Sequence, residues 1–203
     1  MDTCKDRITP ELIDKSLSYE SYRTLIENLL KENKATGSNH SESMINYSQL
    51  NLQRMKKWDK VIKLSDDLQV AIDKIDKDQT WVALTEGWCG DAAQNLPLVN
   101  KIAESNEHIN LHLLLRDENL ELMDCHLTNG GRAIPKLVIL DTETKEVLGT
   151  WGPRPKPIQE MLAEMKSKDD FSYEYFSLLS HTWYAKDRSQ TAQSEFLSLL
   201  QGL

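Results

Sequence analysis

Apolar positions along the chain change their period near residue 80. Before it they recur three or four residues apart, the spacing of one helix face. Thr9 can cap a helix with Pro10 in its first turn, and the apolar line then runs through Leu12, Ile13 and Leu17 into YRTLIENLL, closing at Gly37. Residues 33–43, NKATGSNHSES, predict a polar loop. A second helix fits residues 48 to about 57, with Leu52 and Met55 on one face and Trp58 near its end. Ser65 or Asp66 can cap a third, whose apolar line is Leu68, Ile72 and Ile75. VIKL, 61–64, reads equally as a short edge strand or as more helix.

From Thr80 the pattern alternates between strand and helix. TWVALTE, 80–86, has an uncharged centre and reads as a strand buried on both faces. Ala92, Leu96, Val99 and Ala103 then mark a helix, and INLHLLLRD, 109–117, a second strand. A helix carrying Leu120, Leu122, Met123 and Leu127 stops at Asn129-Gly130-Gly131. KLVILD, 136–141, and EVLGTWG, 146–152, flank the turn DTETK as a β-hairpin. PRPKP, 153–157, reads as irregular and leads into a helix bearing Ile158, Leu162 and Met165. Two further helical patterns cover 173–184 and 189–200. Strand, helix, strand is the order of parallel pairing through a crossover, so the fold class is α/β: a central mixed sheet flanked by helices, with extra helical extensions at both termini. The divisions are 1–59, helical; 60–167, the α/β domain; and 168–203, helical, all packed as one unit.

Composition narrows the partners. With 32 acidic against 24 basic residues and a formal net charge of -8, the chain is a poor match for a phosphate backbone or an anionic membrane surface, so neither nucleic acid nor membrane is expected. No apolar run approaches the roughly 20 residues that span a bilayer, and MDTCKDRITP lacks a signal-peptide core. A cytoplasmic protein is the expectation. Three cysteines, Cys4, Cys89 and Cys125, have no framework spacing, which points to a reducing compartment. The five histidines show no ligand spacing with them, so no metal and no cofactor is called for.

The chemistry gathers at WCGDAAQNLP, 88–97. Cys89 falls at or just before a helix N-terminus, where unpaired N–H groups and the macrodipole favour a thiolate, and this makes it a candidate nucleophile. The plain alternative is a small buried hydrophobe at a tight turn. Cys125 is either a distant resolving partner for Cys89 or a helix-face residue, and Cys4 lies in a terminus where it would be inert.

Several separated residues resemble the thioredoxin family. Trp88-Cys89-Gly90 matches the start of its WCGPC motif, and Pro97 falls where thioredoxins kink the active-site helix. Arg132-Ala133-Ile134-Pro135 is similar to the segment bearing the family's cis-proline, and Gly152 falls where a third active-site loop passes. The resemblance covers roughly 60–167 and, more narrowly, points to bacterial thioredoxin-like proteins that lack the second cysteine. It implies a thioredoxin-like sheet with Cys89 as nucleophile, Trp88 walling the site, and Pro135 presenting a backbone edge to the substrate. Ala92 stands where the resolving cysteine would be, and Ala83 where the buried carboxylate would be, so a dithiol cycle at this motif is excluded. Asp91 replaces the motif's proline; its charge opposes a thiolate with about the strength by which the helix end favours one, or it caps the helix.

On that layout Gly90, Asp91, Ile134, Arg132 and Arg154 surround Cys89, and the two arginines either bind the carboxylates of a glutathione-like thiol or are solvated loop residues. Two functions follow. One is disulfide exchange through a single cysteine with a disulfide-bonded protein or a low-molecular-weight thiol. The other is a non-catalytic interaction module, binding a partner or a second copy of the chain through the aromatic-rich helices at 173–184.

Overall fold

In the computed structural model, which describes residues 4–203, the N-terminal apolar line breaks into two helices, α1 (Pro10–Asp14) and α2 (Tyr19–Lys31). Residues 1–3, part of the stretch read for a signal sequence, lie outside the described residues. Between the two helices Leu17 pairs with Leu113, N–H to O=C at 2.9 and 2.8 Å, and Ser18 caps α2 by accepting from the Ser21 N–H. Helical spacing at Leu12, Ile13 and Leu17 conceals this break, because the competing partner is remote in sequence. The next helix, α3 (Glu42–Val61), starts at the Ser41 cap and outruns the 48–57 expectation at both ends. It takes Val61 as its last residue, so VIKL forms no strand. Ser65 does cap α4 (Asp66–Ile72).

β1 (Gln79–Thr85) is buried along all seven residues. It leads into α5 (Gly90–Ala103), which is followed by β2 (Ile109–Leu115). α6 (Leu120–Asp124) is shorter than expected; it ends at Cys125, and Leu127 is exposed rather than on its buried line. β3 (Lys136–Asp141) and β4 (Val147–Trp151) form the expected hairpin, with Lys145 at positive φ in the turn. PRPKP is not wholly irregular. α7 (Lys156–Lys166) starts within it, Pro157 occupying the first turn where a missing N–H breaks no bond. α8 (Tyr173–Asp187) and α9 (Gln190–Gln201) follow, separated by Arg188 and Ser189 in left-handed conformation.

The strand order is β2-β1-β3-β4, with β1 parallel to β2 and antiparallel to β3, and β3 antiparallel to β4. This is the α/β class expected, a mixed sheet flanked by helices with additional helices at both ends. Trp81, Ile139 and Gly149 lie in register on one face, alongside Ala83, Leu137 and Trp151. α9 covers that face. Phe196 stacks against Trp151 at 5.0 Å and Trp81 at 6.2 Å, and a Cβ at Gly149 would come within 2.8 Å of the Leu199 side chain. A second, smaller apolar cluster joins Ile158 of α7 to Phe176 and Tyr184 of α8.

Cys4 and Cys125 form a disulfide, their Cα atoms 5.4 Å apart. This corrects two readings. Cys4 is not inert, and Cys125 is neither a bare helix-face residue nor available to resolve Cys89. It also removes the cysteine argument for a reducing compartment. No helix among the described residues is long and apolar enough to cross a membrane.

Candidate active site

Cys89 is itself the N-cap of α5. Its Sγ accepts the Ala92 N–H at 3.4 Å, and its S–H donates at 3.3 Å to the Ile134 carbonyl, the C=O of the cis Ile134–Pro135 peptide. The cysteine fills the capping position, so Asp91 takes another role than the cap considered for it. Its carboxylate accepts from Arg154 Nε at 2.8 Å and Nη2 at 2.6 Å, and from the Tyr184 hydroxyl at 2.9 Å. Asn95 Nδ2 donates to the Asp91 carbonyl at 2.8 Å and to the Tyr184 oxygen at 3.1 Å. The Asp91–Arg154 pair is largely shielded, with side chains 14% and 9% exposed.

Arg154 reaches this place because its loop lies on Pro135. Gly152 has φ +111°, and a Cβ there would stand 2.2 Å from the Pro135 carbonyl oxygen, so the close approach requires glycine. The fold thus gathers Cys89, Asp91, Ile134, Pro135 and Arg154 at one point. Arg132 does not join them: it is an exposed rim residue, bonded through Nε and Nη2 to Asp124 at 2.6 and 2.8 Å. Trp88 is half-buried beneath the Arg116 guanidinium, 4.9 Å from its ring centre.

A cleft of about 600 Å³ opens over Cys89 between the loops and the faces of α3 and α8. Two clefts of about 630 Å³ elsewhere contain no cysteine, so chemistry rather than size marks this one. Burial pushes the Cys89 thiol up to about 12, and the Asp91 carboxylate adds to the shift; the Ala92 N–H and Arg154 oppose both. The balance considered between helix end and aspartate is therefore decided by desolvation.

Sequence reading missed the helical residues that face the cysteine. Arg54 of α3 and His181 of α8 line the cleft, and a Cβ on Gly90 would lie 3.0 Å from His181 Cε1 and 3.8 Å from Arg54 Nη1. His181 meets the Gln94 amide at 3.3 Å, and burial lowers its pKa to about 4, which keeps the ring neutral. Neither residue has motif spacing to Cys89, and no local signal reveals them. A buried carboxyl also exists despite Ala83: Glu86, raised by burial, accepts the Asp117 N–H at 2.9 Å.

The family model described as Thioredoxin matches residues 37–166, more than half of the chain. Among solved structures, a Pseudomonas aeruginosa protein of unknown function superposes with TM-score 0.63 at 17% identity, covering 100% of this chain and 99% of that one. An HIV epitope scaffold superposes with TM-score 0.62 at 18% identity, covering 95% and 97%. No curated protein matches by sequence.

Proposed function

This chain belongs to the thioredoxin family, and from that premise we propose that it is a thioredoxin-like protein exchanging disulfides through one cysteine, Cys89. The observation that carries the reading is the position of Sγ at the floor of the cleft, held by the Ala92 N–H and the Ile134 carbonyl beside Pro135. The thiol loses its proton to solvent, and the thiolate attacks one sulfur of a disulfide. A Cys89 mixed disulfide forms as the second sulfur leaves as thiolate. Release takes an external low-molecular-weight thiol, whose thiolate attacks the mixed disulfide, regenerates Cys89 and carries off the other half as a new disulfide. Ala92, 1% exposed at the resolving position, offers no internal alternative.

The second reading, a non-catalytic module, draws on the raised thiol pKa and on exposed Tyr173, Tyr175 and Leu178 of α8. One assay separates them. Wild-type protein incubated with bis(2-hydroxyethyl) disulfide and a reduced small thiol should turn over and show a Cys89 adduct by mass spectrometry, and Cys89→Ser should abolish both. Wild-type protein that forms no adduct with small disulfides, and runs as a stable dimer in light scattering, would sink exchange in favour of the module.

A further inference from the structure

The cleft over Cys89 holds four arginines in a chain whose net charge is -8, and three of them already have carboxylate partners. Arg154 is paired with Asp91, Arg132 with Asp124, and Arg116 with Asp117 at 2.7 Å. Arg54 differs. Its Nη1 donates to the Asn51 side-chain oxygen at 2.8 Å, and among the described residues no carboxylate lies within ion-pair distance of it. Its side chain is half-buried, so the charge is carried at some desolvation cost without the compensation its three neighbours receive. The guanidinium also lines the cleft that Cys89 lines and lies close to Gly90. Its Nη1 would be 3.8 Å from a Cβ on Gly90, the next residue, and the ring of His181 beside it is neutral, adding no competing charge. Glu174, the other acid of the cleft besides Asp91, is exposed at the rim.

We propose that Arg54 is the anion-binding residue of this cleft, receiving a carboxylate of a small disulfide or mixed disulfide whose sulfur is thereby presented to Cys89. The inference rests on the exchange reading and adds the substrate class to it. A guanidinium binds a carboxylate through two parallel N–H bonds, and a charge-assisted pair of that kind fixes orientation as well as affinity. A volume of about 600 Å³ suits a small molecule, in the usual range of roughly 300–1,000 Å³, rather than a folded surface.

The probe is S-methylglutathione, which carries two carboxylates and no reactive thiol, titrated into the full chain with binding read by calorimetry and NMR. Wild-type protein should bind it, with the Arg54 Nε–H resonance moving on titration. Arg54→Gln should weaken binding at least tenfold, and Arg54→Lys, which keeps the charge but loses the fork, should weaken it less. The resonance shift stands even if a variant fails to fold. Absence of binding to wild type, or equal binding by Arg54→Gln, overturns the proposal. So does binding of a capped Asp–S-methylcysteine peptide without binding of S-methylglutathione, which would place the anion on a protein substrate. Because the probe cannot exchange, a Cys89 that never turns over leaves this result untouched, and the two failures are distinguishable.

Discussion

Asp91 and Arg154 act on Cys89 with opposite signs while supporting each other. The carboxylate disfavours a thiolate two residues away, and the guanidinium favours it. Removing either partner of a buried pair leaves an uncompensated charge, at a cost of about 3–5 kcal/mol. Two variants therefore separate electrostatics from packing. Asp91→Asn removes the like charge and frees the arginine, so the pH midpoint for alkylation of Cys89 by iodoacetamide should fall. Arg154→Gln removes the favourable charge and leaves the aspartate, so that midpoint should rise. Both should lower Tm. Midpoints moving in the same direction would mean that altered burial, not charge, governs the thiol. The roles of these two residues were only partly legible: position 91 beside Cys89 shows in the motif, but the pairing depends on the Gly152 loop lying on Pro135.

α8 is the element that closes the cleft. Phe176, Ser180 and His181 face the site, and the Tyr184 hydroxyl donates to Asp91 and accepts from Asn95. Its apolar anchorage is a small cluster separate from the main core, which makes the polar contacts a larger share of what holds it down. Tyr184→Phe keeps the ring and deletes both hydroxyl bonds, at a stability cost of about 1–3 kcal/mol. Cys89 should then alkylate several-fold faster at fixed pH, with faster amide hydrogen exchange along α8. An unchanged alkylation rate would show that the helix does not govern access. The sequence reveals this helix by its aromatic content but not its destination. Its exposed face carries Tyr173, Tyr175 and Leu178, so apolar residues surround it and no single stripe points to the site.

At the scale of the molecule, the succession of strands and helices from β1 to the hairpin and the segment around Cys89 were readable because they are local: β1 is uniformly apolar, the hairpin has its turn, and the motif residues are contiguous or keep family spacing; the pairing of β1 with β3, remote in sequence, was not. The terminal helices were readable as helices and unreadable as parts of the core, since nothing in their periodicity names the surface they cover. α9 is the clearest instance. Phe196, fully buried, stacks on Trp81 of the central strand and Trp151 of the edge strand. Glu195 beside it accepts the Trp151 indole N–H at 2.7 Å and the Lys156 N–H at 2.7 Å, tying α9 to the loop that leads from Gly152. The helix is thus a wall of the sheet's core rather than an appendage, and its loss should be felt throughout. Phe196→Ala removes an aromatic ring from between two tryptophans, at a cost of about 3–5 kcal/mol, enough to lower Tm by about 10 °C in a chain of this size. Truncation before residue 190 should leave a protein with no cooperative unfolding transition in a calorimetric scan. A truncated chain that still melts cooperatively near the wild-type temperature would show instead that the sheet completes its core without α9.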